Sequence, residues 1–167
     1  TKAVPIWNSK QRRAWKAYLT RLAKHFKGRV RYFEIWNEPD LNSFWAPKKP
    51  NPADYAKLVK LSAPILRKNN PDAFIIGGAV SGGPRDNRLS FLDGALQSGM
   101  SDHIDALSYH YYDACPETIT TLEIKKLRQI LAKYNLRNIP IWQGEGGYPS
   151  KDPGGGLALA GHPWNEY

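Results

Sequence analysis

Val30-Arg-Tyr-Phe-Glu-Ile-Trp-Asn-Glu38-Pro39 is the stretch that decides the fold. Aromatic and β-branched side chains suit a pleated, half-buried surface, so residues 30–38 are predicted to form a strand. Pro39 has no amide hydrogen to continue a ladder and ends it there. Strand alternation puts Tyr32, Glu34, Trp36 and Glu38 on one face and Phe33, Ile35 and Asn37 on the other. Glu38 therefore sits at the strand's C-terminal mouth, with Glu34 one layer below it. In parallel α/β proteins that edge is where ligands bind.

Upstream, Trp15, Tyr18, Leu19, Leu22, Ala23 and Phe26 recur at helical spacing and form one apolar stripe. Asn8 or Ser9 caps the start of this helix and Gly28 follows its end. Downstream, Pro52 to Asn69 is predicted helical, with Tyr55, Leu58, Val59, Ser62, Ile65 and Leu66 inward. Phe74 to Val80 is a short buried strand and Leu89 to Ser98 a helix ending at Gly99. A third strand runs from Ile104 to Tyr112. Thr118 to Tyr134 follows as a helix with Ile119, Leu122, Leu127, Ile130 and Leu131 inward. Ile139 to Gln143 is the fourth strand, and the tail from Lys151 with its glycines at 154–156 is a loop. Four strands separated by one helix each imply a parallel sheet with right-handed crossovers, an α/β fold.

Two further segments carry chemistry. Trp142-Gln-Gly-Glu145-Gly-Gly147 lies at the C-terminal end of the fourth strand, where alternation aligns Ile139, Ile141, Gln143 and Glu145. The surrounding glycines remove bulk and let a ligand approach. On the third strand Ala106, Ser108, His110 and Tyr112 share one face, and Leu107, Tyr109 and Tyr111 share the other. Small residues followed by His and Tyr suit the crowded inside of a barrel, level with Glu38 and Glu145.

Two carboxylates flanking one bond are what glycoside hydrolysis requires: one donates a proton to the leaving oxygen while the other, ionised, attacks the anomeric carbon. A carboxylate pair can also hold a divalent cation. No third acid stands at ligand spacing, however, and His25, His103, His110 and His162 form no metal motif, so no metal or other cofactor is expected.

The run from Tyr32 to Leu41, Tyr-Phe-Glu-Ile-Trp-Asn-Glu-Pro-Asp-Leu, resembles the strand-4 motif of clan A retaining glycoside hydrolases. Within that clan it is most similar to glycoside hydrolase family 39, the β-xylosidase and α-L-iduronidase group. The segments around His110 and Glu145 match the family's strands 6 and 7, in order. The resemblance implies a partial (β/α)8 TIM barrel covering strands 4 to 7, with Glu38 as general acid/base and Glu145 as nucleophile. It further implies that Asn37 contacts the sugar 2-hydroxyl and that His110 and Tyr112 orient Glu145 and the sugar. Trp45 and Trp142 are the aromatic candidates for the sugar site. Glu34 is expected to be a paired structural carboxylate.

The chain has 167 residues, enough for one domain of ordinary size but short of the ~250 that a whole barrel needs. It is therefore expected to be one incomplete catalytic domain over residues 1–167, inactive alone, with two open sheet edges. The formal net charge is +9, and residues 1–50 hold 12 Lys/Arg against Glu34, Glu38 and Asp40. The basic excess sits around Ser9 to Arg31 and is best explained as a solvated helix face. A polyanion-binding module is the rival, but such modules interleave aromatics with the basic groups on an open face. Here Trp15, Tyr18 and Phe26 fall on the apolar stripe, so no nucleic-acid partner is expected. A third reading keeps the pocket but not turnover, as a non-catalytic carbohydrate-binding protein.

Apolar runs are far too short to span a membrane, and none is expected as a partner. Gly77-Gly-Ala-Val-Ser-Gly-Gly83 follows a strand but lacks both phosphate-loop spacings, so its glycines are expected to make room for substrate. Cys115 precedes a proline without a base nearby and is expected to be a free structural thiol. One cysteine excludes an internal disulfide and leaves the compartment open; a secreted or periplasmic location suits a polysaccharide enzyme.

Overall fold

The computed structural model describes residues 4–81, 87–112 and 116–147. Cys115, the glycines at 82 and 83, the side chain of Ile119, His162 and the tail after 147 lie outside the described residues. Among the described residues four α-helices and four strands alternate: α1 (Ser9–His25), β1 (Tyr32–Glu34), α2 (Pro52–Asn69), β2 (Phe74–Val80), α3 (Asn87–Ala95), β3 (Ala106–Tyr112), α4 (Pro116–Lys133) and β4 (Ile141–Gly147). The strands form one sheet in sequence order, every neighbour parallel. The result is a curled half of a (β/α)8 barrel.

Local chemistry sets the elements. Asn8 and Gln11 form a reciprocal capping box at the start of α1, each side chain bonded to the other's backbone N–H. Asn51 caps α2, with Pro52 at its first position. The Trp15 indole donates to Ser62 Oγ at 2.9 Å and ties α1 to α2. The core between sheet and helices is built from Leu58, Val59, Leu66, Ile75, Leu92, Leu107 and their neighbours. Leu107, Tyr109 and Tyr111 lie in that core, as alternation along β3 requires. Two expected inward residues do not: Tyr18 and Leu122 are half-exposed. Tyr18 stacks on the Trp15 ring at 5.4 Å at the edge of the stripe, and the core is closed without either. Lys10, Arg12, Arg13, Lys16 and Lys24 are exposed, as a solvated outer face demands. No described helix is long and apolar enough to cross a membrane.

Three departures from the expected ladder fall together at the C-terminal mouth. Regular pairing in β1 stops at Glu34, and Trp36 (φ 70°) and Glu38 (φ 42°) adopt left-handed backbone. Ala79 (φ 47°) is an extra residue in β2, bulged where Gly78 pairs Ser108 and Val80 pairs Tyr109. Gly144 is an extra residue in β4, between the Gln143–Tyr109 and Glu145–His110 pairs. Bulges re-aim side chains at barrel rims and beside active sites.

Tyr55 is fully buried, and loss of hydration pushes its hydroxyl well above the ordinary 10.0, assisted by the charges of Glu34 and Asp40 and opposed by the Gly78 N–H bond. The folded chain keeps this proton where the unfolded chain releases it. Its contribution to stability is therefore complete below pH 10 and declines above it, by about 1.4 kcal/mol per pH unit. Urea unfolding at pH 9, 10 and 11 is expected to show this slope; a flat profile would exclude it.

Candidate active site

Glu38 follows β1 into the mouth, where its backbone N–H donates to the Ala79 carbonyl at 2.9 Å. His110, on the inner face of β3 and fully buried, places Nδ1 3.1 Å from Glu38 Oε1 and 3.7 Å from Glu145 Oε2. Both neighbours accept, so the network assigns the imidazole proton to Nδ1 when the carboxylates are ionised. The Tyr112 hydroxyl donates to Glu145 Oε2 at 2.8 Å. That bond, with some burial and the charges of both glutamates, raises the Tyr112 hydroxyl above its ordinary value. One carboxylate oxygen from each glutamate and a ring nitrogen of His110 all lie within 4.8 Å of one another.

Glu145 reaches this cluster by a route that alternation misplaces. The expected face was that of Ile139, Ile141 and Gln143. The bulge at Gly144 instead puts Glu145 on the inner face, beside His110, together with Trp142 beside Ser108. Gly144 is required by close approach: a Cβ there would overlap Ser108 Oγ and stand 3.2 Å from Glu34 Oε1 and 3.5 Å from the His110 ring. Ser108 Oγ and His110 Nε2 are both buried without a hydrogen-bond partner among the described residues.

Trp36 also leaves its expected face. Its left-handed backbone turns the ring away from Glu34 and in among Trp15 and Trp45, with the indole donating to the Phe44 carbonyl at 3.0 Å. Trp45 itself is 0% exposed, edge-on to Trp7, Trp36 and Tyr55, so no ring face is left for a sugar. That assignment is corrected: Trp45 is a core residue. Trp142 is not brought to the carboxylates either. It lies on the inner face beside Ser108, two residues below the His110–Glu145 pair and so about 7 Å along the sheet, packed on Tyr32 and Phe74. It belongs to an aromatic layer lower in the half-barrel. Asn37 is half-buried beside Glu38. Glu34 is exposed on the inner face and makes no ion pair among the described residues, so the expected pairing is corrected too.

Residues that gave no sequence signal hold the Glu38 segment. Asp40 accepts from the Ser81 N–H at 2.9 Å and from Ser81 Oγ at 2.5 Å, joining the turn after Glu38 to the end of β2. Tyr55, from α2, donates to the Ile35 carbonyl at 3.0 Å and accepts from the Gly78 N–H at 2.9 Å. Asp40 follows the Glu38-Pro39 pair directly, and that adjacency is the one available clue. Tyr55 carries none.

A parallel half-barrel with paired glutamates at its C-terminal mouth defines the class, a barrel glycoside hydrolase. The model of glycosyl hydrolases family 39 matches residues 4–145, and the chain belongs to that family. It is 29% identical over 105 residues to a β-xylosidase of Geobacillus stearothermophilus, an alignment covering 59% of this chain and 20% of that protein. A family 39 β-xylosidase from Caulobacter crescentus superimposes with a TM-score of 0.63 at 21% identity, covering 84% of this chain and 32% of the other. A family 39 enzyme from Xanthomonas axonopodis pv. citri gives 0.67 at 19%, covering 85% and 32%. The chain thus spans about a fifth of the curated relative and a third of these solved structures.

Proposed function

We propose that this chain supplies Glu38 as acid/base and Glu145 as nucleophile to a complete family 39 barrel, which hydrolyses O-glycosidic bonds with retention of configuration. The observation that supports this is the close approach of the two carboxylates, an oxygen of one lying within 4.8 Å of an oxygen of the other. Retaining enzymes hold their carboxyl groups about 5–5.5 Å apart, whereas inverting ones leave about 6.5–9.5 Å for a water.

The surroundings favour this division of roles. Glu145 is the more open carboxylate, 45% exposed against 14% for Glu38, and takes a hydrogen bond from Tyr112. That bond holds the attacking carboxylate in a fixed orientation. His110 engages Glu38 Oε1 and leaves Oε2 to carry the mobile proton. In the first step Glu145 bonds to the anomeric carbon while Glu38 protonates the departing oxygen, giving a glycosyl ester. In the second, Glu38 takes a proton from water, the water oxygen bonds to the same carbon, and Glu145 leaves. Asn37, beside Glu38, is the group for the sugar 2-hydroxyl. The substrate is an oligosaccharide, polysaccharide or simple glycoside.

Proton NMR of the first-formed product tests the reading. The anomeric configuration is expected to match the substrate, and an inverted product would overturn it. Oligosaccharide binding without product would instead support a non-catalytic binding protein. Hydrolysis is expected to be unchanged by a chelator, because proton donation by one carboxyl group and attack by the other need no cation.

A further inference from the structure

We infer that Tyr55 is a positioning residue for Glu38, its hydroxyl replacing one rung of the β1–β2 ladder and so setting the direction of the acid/base carboxylate. The inference rests on the acid/base role proposed for Glu38. In a parallel pair, a residue whose N–H donates to position j−1 of its neighbour receives at its carbonyl the N–H of position j+1. The Ile35 N–H donates to the Ile76 carbonyl at 3.0 Å, so the next rung belongs to the Gly78 N–H and the Ile35 carbonyl. Neither group uses the other. The Gly78 N–H goes to the Tyr55 oxygen at 2.9 Å, and the Tyr55 hydroxyl goes to the Ile35 carbonyl at 3.0 Å.

An oxygen inserted in a rung holds the two strands apart at that level while satisfying both backbone groups. Immediately above it, the backbone takes three left-handed residues, Trp36, Glu38 and Ala79, and direct contact resumes only at the Glu38 N–H and Ala79 carbonyl. Trp36 then turns outward and Glu38 turns in to His110. Tyr55 is well suited to this task. Its ring is fully buried and gripped edge-on by Trp45 and obliquely by Phe91, so the hydroxyl is delivered from a rigid arm. Asp40 on Ser81 secures the far side of the same turn.

With Tyr55→Phe, the Ile35 and Gly78 groups must close on each other or stay unpaired, and Glu38 moves relative to His110. Misplacement of a catalytic group by about 1 Å costs on the order of 100-fold. The loss falls on the two steps that use Glu38, protonation of the leaving oxygen and activation of the incoming water. Tyr55→Phe is therefore expected to slow cleavage of aryl glycosides with poor leaving groups about 100-fold through kcat, with KM little changed. Activated dinitrophenyl glycosides, which leave without protonation, should form the glycosyl-enzyme at near the wild-type rate.

Tyr134→Phe serves as control, since Tyr134 bonds Asp93 away from the mouth and should leave the leaving-group dependence unchanged. Equal losses in the rate of glycosyl-enzyme formation on both substrate types, or none on either, overturn the inference, while hydrolysis by the wild type keeps the proposed function. Absence of hydrolysis and labelling by a complete barrel that carries this chain overturns the proposed function. The Tyr55 geometry is then judged by amide NMR, where Tyr55→Phe should shift Gly78, Ala79 and Glu38 but not β4; an unmoved Glu38 amide overturns it. Should Tyr55→Phe not fold, Ser81→Ala, which loosens the same turn, must show the same leaving-group asymmetry in weaker form, and its absence overturns the inference.

Discussion

Glu145→Gln lowers glycoside hydrolysis by about 10⁴- to 10⁶-fold, the scale on which removal of an enzyme nucleophile acts. An amide oxygen of similar shape cannot form the glycosyl ester, so covalent labelling by a 2-fluoro glycoside with a good leaving group disappears as well. The same substitution has a readout that needs no turnover. The Tyr112 hydroxyl is raised first by its hydrogen bond to Glu145, then by burial and by the charges of Glu145 and Glu38. Removing the Glu145 charge therefore brings the Tyr112 ionisation back toward 10.0, visible as tyrosinate absorbance appearing at lower pH. Labelling that survives in Glu145→Gln would sink the nucleophile assignment. An unmoved Tyr112 would sink the hydrogen bond that orients it.

The second large effect is on stability. Gly78→Ala is expected to destabilise the fold by about 4 kcal/mol, from two sources of about 1–3 kcal/mol each. Gly78 holds φ 107°, which side-chain-bearing residues rarely adopt. A Cβ there would also overlap the backbone carbonyl oxygen of Ser108 and stand 3.0 Å from Leu107 Cδ1. Backbone cannot rotate away as a flexible side chain would, and relief would have to come from separating β2 from β3. A denaturant midpoint within experimental scatter of the wild type would show that the sheet absorbs the group and that the close approach is not obligatory. Because Gly78 also feeds the Tyr55 hydroxyl, any folded Gly78→Ala protein should lose the acid-dependent step along with stability.

Much of this architecture was legible in the chain. Residues 52–69 form the predicted helix and 74–80 the predicted strand with unchanged bounds, because a proline-led start and a continuous apolar run are local signals. The alternation along β3 put His110 and Tyr112 on the inner face, where they meet the glutamates. Alternation failed where a residue was inserted. A period of two carries a side chain to the wrong face after any bulge, and nothing in Trp142-Gln-Gly-Glu145 distinguishes a glycine that bulges from one that continues the strand. Trp45 failed for another reason: a tryptophan in a loop looks the same whether it meets solvent or, as here, three other aromatic rings.

The sequence by itself determined the order of strands and helices and put one glutamate at the end of the first strand and one at the end of the fourth, since these rest on periodicities within a few residues; the half-barrel followed from the resemblance of its motifs to family 39. Only the tertiary structure decided how the glutamates meet. Their approach depends on an extra residue at 144, on left-handed backbone at 36, 38 and 79, and on a hydroxyl 20 positions beyond Ile35 standing in a ladder between two strands. Those are long-range hydrogen-bond and packing choices, made where the sheet gives up regular pairing to turn two carboxylates toward one histidine.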